Sequence, residues 1–292
     1  MNSPRVIMYA QTFTTQSKEP IPLLPLIHNP SGITHLIIAM LHLNVNHPHG
    51  YKITINDNQP DDPIWDTLRH EIKQFQAAGI RVLCCLGGAA QGSYRPALED
   101  HWDVYYPLLQ HFIIDYGLDG LDIDIEECVD QSTVERLINT LRHDFGPNFL
   151  LTLTPVANAL QPGGGQPGGA NVDYQSLESK FGASISWYNT QFYCGWGDIS
   201  TTTDYDRIIA NGFPANKVVV LLSTNPKNAP PAYTQPKLSE YMMAIRVKHP
   251  NLGGVAGWEY FNAEVTGSPT NPPWEWLQAV KNAVNRQKTG RH

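Results

Sequence analysis

The sequence predicts an α/β protein, a single (β/α)8 TIM barrel occupying residues 1–292, and three observations carry that prediction. Apolar strand-like runs alternate with helix-like runs eight times along the chain. The links between them are short, as packed βα units require. The most acidic strand-like run, residues 119–126, lies between an apolar helix-like run at 106–116 and an amphipathic one that follows it. That is the setting of an interior parallel strand. The regular alternation favours a closed barrel over an open doubly wound sheet. A barrel of this class takes about 250 residues, so 292 residues with 41% hydrophobic content leave little for a second domain.

The first strand is expected near residues 5–11, with Tyr9 and Gln11 sharing a face. The second is expected at 33–43, after a Pro-rich stretch, and the polar residues 44–62 read as a loop. A helix at 63–78 places Leu68, Ile72 and Phe75 at helical spacing and stops at Gly79. Residues 80–86 form the third strand, closed by Gly87-Gly88, and 102–116 the next helix. The fourth strand is 120–126. Ser132-Thr133-Val134-Glu135 is a capping-box sequence opening a helix with Val134, Leu137, Ile138 and Leu141 on one side. The fifth strand is 149–154, followed by a Gly-rich flexible loop at 161–170. A short helix at 174–181 precedes the sixth strand at 185–193, and a helix at 204–211 follows it. Strand 217–223 leads to helix 235–249, with Leu238, Tyr241, Met242 and Ile245 on one stripe. Strand 253–260 and helix 274–288 complete the chain.

A formal charge of −7 argues against nucleic acid or an anionic membrane surface as partner. No run approaches the ~18 apolar residues of a membrane span. Residues 1–5 lead directly into a short apolar run, without the pattern of a signal peptide, so a cytoplasmic location is expected. Cys84, Cys85, Cys128 and Cys194 show neither metal spacing nor a disulfide framework, and all four read as reduced core residues. The glycines of 161–170 are no dinucleotide fingerprint, since no GxGxxG sits between a strand and a helix. His47 and His49 have no third ligand, so no metal site is expected.

The chemistry concentrates in Asp119-Gly120-Leu121-Asp122-Ile123-Asp124-Ile125-Glu126. Leu121, Ile123 and Ile125 face one way, and Asp122, Asp124 and Glu126 the other. Carboxylates this close repel, so some must hold protons or strong hydrogen bonds. A water-facing strand could carry such a face, but an interior strand has no cheap structural use for it. Asp124 and Glu126 have Cα atoms roughly 6–7 Å apart. The usual glycosidase pair flanks the scissile bond from opposite sides. Neighbours on one strand face cannot easily do that. One can protonate the leaving oxygen, and an N-acetyl group on the sugar itself could supply the nucleophile.

The stretch resembles the DGxDxDxE signature of glycoside hydrolase family 18, the chitinases and endo-β-N-acetylglucosaminidases. The resemblance implies Glu126 as general acid/base, Asp124 as the group that orients the N-acetyl group, and Asp122 as its support. Asn189-Thr190-Gln191-Phe192-Tyr193 resembles the family's Gln-Phe-Tyr segment. This implies that the Tyr193 hydroxyl binds the N-acetyl oxygen, with Gln191 and Asn189 lining the same pocket. Trp258 matches the family Trp under the cleaved sugar, and Glu259 is expected to point outward and pair with a helix. Tyr9 and Gln11 are counted with the supporting residues. Cys85-Leu86-Gly87-Gly88 resembles an SxGG segment with Cys in place of Ser. Segments such as Pro60-Asp61-Asp62-Pro63, Gly257-Trp258-Glu259-Tyr260 and Pro273-Trp274-Glu275-Trp276 are similar to the fungal endo-β-N-acetylglucosaminidases.

The resemblance implies a hydrolase cutting the chitobiose core of N-glycans, acting on N-glycans, glycoproteins or chitin-like oligosaccharides without a cofactor, as a monomer. A compact endochitinase is the alternative enzyme. A chitinase-like lectin is the non-enzymatic one, and the retention of Glu126, Asp124 and Tyr193 speaks against it.

Overall fold

The computed structural model describes residues 3–265 and 271–285, and its fold class is the expected α/β, (β/α)8 TIM barrel. The chain packs as two compact units. One comprises Met1–Leu36, Val156–Gly164 and Trp187–His292, the other Ile37–Pro155 and Gly165–Ser186. Among the described residues strands and helices alternate in chain order through eight βα units, with one extra strand between the second strand and its helix.

The first unit holds β1 (Arg5–Ala10) with α1 (Pro25–His28), β7 (Trp187–Gln191) with α6 (Thr203–Ala210), β8 (Val218–Ser223) with α7 (Gln235–Lys248), and β9 (Gly254–Trp258) with α8 (Trp274–Asn285). Its strand order is β1-β9-β8-β7, and these neighbours run parallel where Met8 pairs with Gly257, Leu221 with Ala256 and Gln191 with Leu221. Every residue of β7 and β8 is buried, which is the continuous burial of strands covered on both faces. On α7, Leu238, Met242 and Ile245 are buried as expected. Tyr241 instead stands half-buried at the edge of the stripe, its ring 5.5 Å from that of Tyr233.

The second unit holds β2 (His35–Leu43) from Ile37 onward, β3 (Ile53–Ile55), α2 (Asp66–Ala77), β4 (Arg81–Gly87), α3 (Trp102–Asp115), β5 (Gly120–Asp124), α4 (Gln131–Phe145), β6 (Leu150–Leu153) and α5 (Tyr174–Phe181). β4, β5 and β6 are parallel, with Cys85 opposite Asp122 and Asp122 opposite Thr152. The buried faces of α2 and α4 include Leu68, Ile72 and Phe75, and Val134, Leu137, Ile138 and Leu141, as helical spacing predicts. Burying each such side chain contributes about 1.5–3 kcal/mol, so these stripes hold the helices against the sheet.

Three local expectations are corrected. Residues 44–62 are not all loop, because Ile53–Ile55 pairs antiparallel with Leu41–Leu43. Its alternation is only three residues long, too short to stand out in the sequence. The capping box is not used: α4 starts at Gln131, one residue before Ser132, and Glu135 pairs with Lys180 at 2.9 Å. Asp130 precedes the helix in extended conformation, with its N–H on Glu99 Oε2 at 2.6 Å, which sets the earlier start. A helical segment with π-type geometry, Ser93–Glu99, lies where no element was expected. The expected extension of the last helix to residue 288 lies partly outside the described residues. No helix among the described residues is long and apolar enough to cross a membrane.

The four cysteines are free, but only Cys84 and Cys85 are core residues, whereas Cys128 and Cys194 are exposed. Both exposed thiols fall just past strand ends, where alternation no longer dictates burial. Thiol titration of the native protein should therefore count two fast-reacting groups, rising to four after denaturation. A disulfide in the purified protein would overturn the cytoplasmic expectation.

Candidate active site

The acidic stretch is built as its alternation requires. Leu121, Ile123 and Ile125 are buried on one side, while Asp122 and Asp124 are 0% and 8% exposed on the other. β5 ends at Asp124, so Glu126 stands just beyond the carboxyl end of the strand and is half-buried. Catalytic groups of barrels of this class lie at that end.

A buried carboxylate must be compensated. Asp122 is: Thr152 Oγ1 donates to its Oδ1 at 2.5 Å, and Thr154 Oγ1 to its Oδ2 at 2.6 Å. These hydroxyls come from the neighbouring strand and the residue just past it, placed by the Asp122–Thr152 register. The Cys85 thiol lies on the other side, its pKa pushed well up by burial first and by Asp122 and Asp124 next. It stays a neutral thiol beside the acids.

Asp124 follows two residues on, at the end of β5. Its backbone carbonyl accepts the Gly88 N–H at 2.9 Å. Burial pushes its carboxyl well above the ordinary range, and the charges of Glu126 and then Asp122 push the same way. The two glycines after β4 permit this approach. A Cβ on Gly87 would stand 2.3 Å from the Asp124 carbonyl oxygen, and Gly88 has φ +78, a conformation side chains disfavour. Two buried phenols belong to the same cluster, Tyr94 and Tyr174. Both are held neutral chiefly by burial, with the carboxylates adding to it. The Tyr94 hydroxyl donates to the Leu86 carbonyl at 2.6 Å.

A carboxyl whose folded pKa lies above its unfolded value holds its proton more tightly when folded. Its contribution to stability is full below the unfolded pKa and falls as pH rises through the folded one. Asp124→Asn should therefore raise Tm at pH 7, by about 2–4 °C per kcal/mol of strain relieved, with the gain shrinking toward pH 4. Thermal melts of both proteins across pH test this. A lower Tm for the variant at pH 7 would show that the protein is not strained by this carboxyl.

The other expected residues lie in the first unit. Asn189 is buried in β7, and its Oδ1 accepts the Trp187 indole N–H at 2.8 Å. Gln191 ends β7 and is buried, and Tyr193 follows two residues later, past the strand end and 9% exposed. Trp258 ends β9, half-buried and edge-on to Tyr9, with ring centroids 5.6 Å apart. The Gln11 backbone N–H donates to Glu259 Oε2 at 2.8 Å.

Glu259 does not point outward to a helix. It is buried, accepting N–H bonds from Gln11 and Thr12 at 2.8 Å and the Thr12 hydroxyl at 2.9 Å. Residue 259 lies past the end of β9, so strand alternation does not set its direction. The carboxylate instead ties the segment after β1 to the end of β9. Sequence reasoning also missed Thr152, Thr154, Tyr94, Tyr174 and Glu127. For the threonines a signal existed: the polar residues 152 and 154 alternate with Leu151 and Leu153 in an otherwise apolar strand.

A sequence model of Glycosyl hydrolases family 18 matches residues 5–230. The chain is 39% identical to a fungal endo-beta-N-acetylglucosaminidase from glycosyl hydrolase family 18, with TM-score 0.90 over 97% of this chain and 99% of that one. It is 40% identical to the chitinase ChiC from Aspergillus fumigatus, with TM-score 0.84 over 94% and 97% of the two chains. It is 25% identical over 214 residues to Chitinase 1 of Tulipa saxatilis subsp. bakeri, the alignment spanning 68% of this chain and 64% of the tulip protein.

Proposed function

The chain belongs to glycosyl hydrolase family 18, and from that membership we propose that it is an endo-β-N-acetylglucosaminidase hydrolysing the β-1,4 bond of the N-glycan chitobiose core. The observation that carries the mechanism is the strand end itself: Asp124 and Glu126 are neighbours beyond the same face of β5, with the Asp124 carboxyl raised by burial and by Glu126. Such a pair does not straddle a glycosidic bond, so the acetamide of the cleaved sugar takes the nucleophile's place.

In this reading Glu126 protonates the leaving oxygen as the C1–O bond breaks. The acetamide oxygen bonds to C1 and gives an oxazolinium ion. Asp124, in its ionised form, accepts the acetamide N–H and stabilises the positive charge as it develops. Asp122, fixed by Thr152 and Thr154, supports Asp124 from below. Deprotonated Glu126 then takes a proton from water, whose oxygen attacks C1 from the leaving group's side, and configuration is retained. By family resemblance Tyr193 donates to the acetamide oxygen, Trp258 lies under the sugar, and Asn189, Gln191, Tyr9 and Gln11 support the pocket.

A compact endochitinase is the second reading, supported by the 40% identity to the Aspergillus fumigatus chitinase. The branched-glycan reading is supported by the endoglycosidase relative and by the β8–β9 connection. That connection holds loop and α7 alone, with no inserted domain to deepen a groove for linear chitin. Side-by-side assays on a high-mannose glycoprotein and on chitin oligomers test the choice. Release of glycan from the glycoprotein at the higher kcat/KM is the expected result, and cleavage of chitin oligomers alone would transfer the assignment to endochitinase.

A further inference from the structure

Glu127, the residue after the proposed acid, is a carboxylate only 6% exposed that the mechanism does not use. Its Oε1 accepts two backbone N–H groups, Gly92 at 3.0 Å and Tyr94 at 2.9 Å. Those donors open the Ser93–Glu99 helical segment that follows the Gly87-Gly88 turn. The same two stretches are joined on either side of this bond. Gln91 Nε2 donates to the Glu126 carbonyl at 3.1 Å and to the Gly168 carbonyl at 3.0 Å. Gly168 is pressed so close that a Cβ there would stand 1.7 Å from the Glu126 carbonyl oxygen. Two residues upstream the Gly88 N–H holds the Asp124 carbonyl, and downstream the Asp130 N–H is held by Glu99 at 2.6 Å.

The segment beyond β5 has no strand ladder to hold it, since β5 ends at Asp124. Yet a general acid must be held within hydrogen-bond reach of its oxygen. We propose that Glu127, with Gln91, is a positioning residue for Glu126. Its buried carboxylate locks the backbone of the segment to the Ser93–Glu99 element and so aims the Glu126 side chain. This role rests on Glu126 being the acid. Glu127 itself transfers no proton and touches no substrate.

The test compares Glu127→Ala, Glu127→Gln and Gln91→Ala with the native enzyme, each assayed well below its own Tm. Rates are taken on whichever substrate the native enzyme cleaves, glycopeptide or chitooligosaccharide, so substrate preference does not enter. A misplacement of about 1 Å costs on the order of 10²-fold, so Glu127→Ala should lower kcat by about 30–100-fold with KM nearly unchanged. Glu127→Gln keeps an oxygen that accepts both N–H groups and should recover kcat to within about fivefold of native. Gln91 is exposed, so Gln91→Ala should fold normally and lose about three- to tenfold in kcat.

A role in folding alone would lower Tm and leave kcat of the folded fraction intact, and that outcome overturns the proposal. Equal losses in Glu127→Ala and Glu127→Gln overturn it too, because charge rather than geometry would then matter. If Glu127→Ala does not fold, native kcat in Gln91→Ala is the overturning result, and a kcat loss there supports the role. An active Glu126→Gln sinks the acid assignment separately from these outcomes.

Discussion

Glu126→Gln is expected to cut kcat by about 10²–10⁴-fold, the range a general acid supplies, with little change in glycan binding or Tm. Glutamine matches glutamate in shape and holds no transferable proton. The backbone at this position is fixed by main-chain and neighbouring groups rather than by the acid function itself. Gln91 holds the Glu126 carbonyl, and Glu127 holds Gly92 and Tyr94. The substitution also removes one of the charges that raise the Asp124 carboxyl, leaving burial and Asp122 as its causes. Initial rates, a thermal melt and titration calorimetry with intact glycan measure the three quantities. Turnover near the native rate in a folded variant removes the central assignment, because glutamine at position 126 has no proton to give the leaving oxygen.

The second large effect lies in the substrate. When the cleaved sugar lacks its 2-acetamido group, turnover should disappear while binding persists. Asp124 sits at the end of one strand and Glu126 two residues on, so neither is placed to reach C1 opposite the leaving group. Without the acetamide nothing fills that position. With it, the product must emerge first as the β-anomer, since two displacements at C1 restore the starting configuration. An added alcohol should intercept the oxazolinium and give transglycosylation product. Proton NMR of the fresh product decides the matter. An initial α-anomer means direct attack by water and would sink the acetamide mechanism, together with the roles given to Asp124 and Tyr193.

The carboxylate pattern was legible because a strand repeats every two residues. Three acids at that spacing, alternating with Leu121, Ile123 and Ile125, could only be one polar and one apolar face. Helix stripes were legible for the same reason at the helical period, and α2 and α4 follow them. Glu259 and Ser132 were misread where periodicity stops. Beyond a strand end a side chain's direction depends on the turn the chain takes, and at a helix start the cap depends on what holds the preceding backbone.

The order of strands and helices, the fold class and the location of Glu126 at a carboxyl strand end are thus determined by the sequence itself. Each follows from local spacing and covalent order. Tertiary structure alone decided the surroundings of the acids: Thr152 and Thr154 on Asp122, the burial that raises the carboxyl of Asp124, and Glu127 turned away onto Gly92 and Tyr94. It also decided that Glu259 is buried against Gln11 and Thr12, nearly a chain's length away. These are contacts between distant segments. Burial and hydrogen bonding, which set a carboxyl's charge, exist only once those segments have packed.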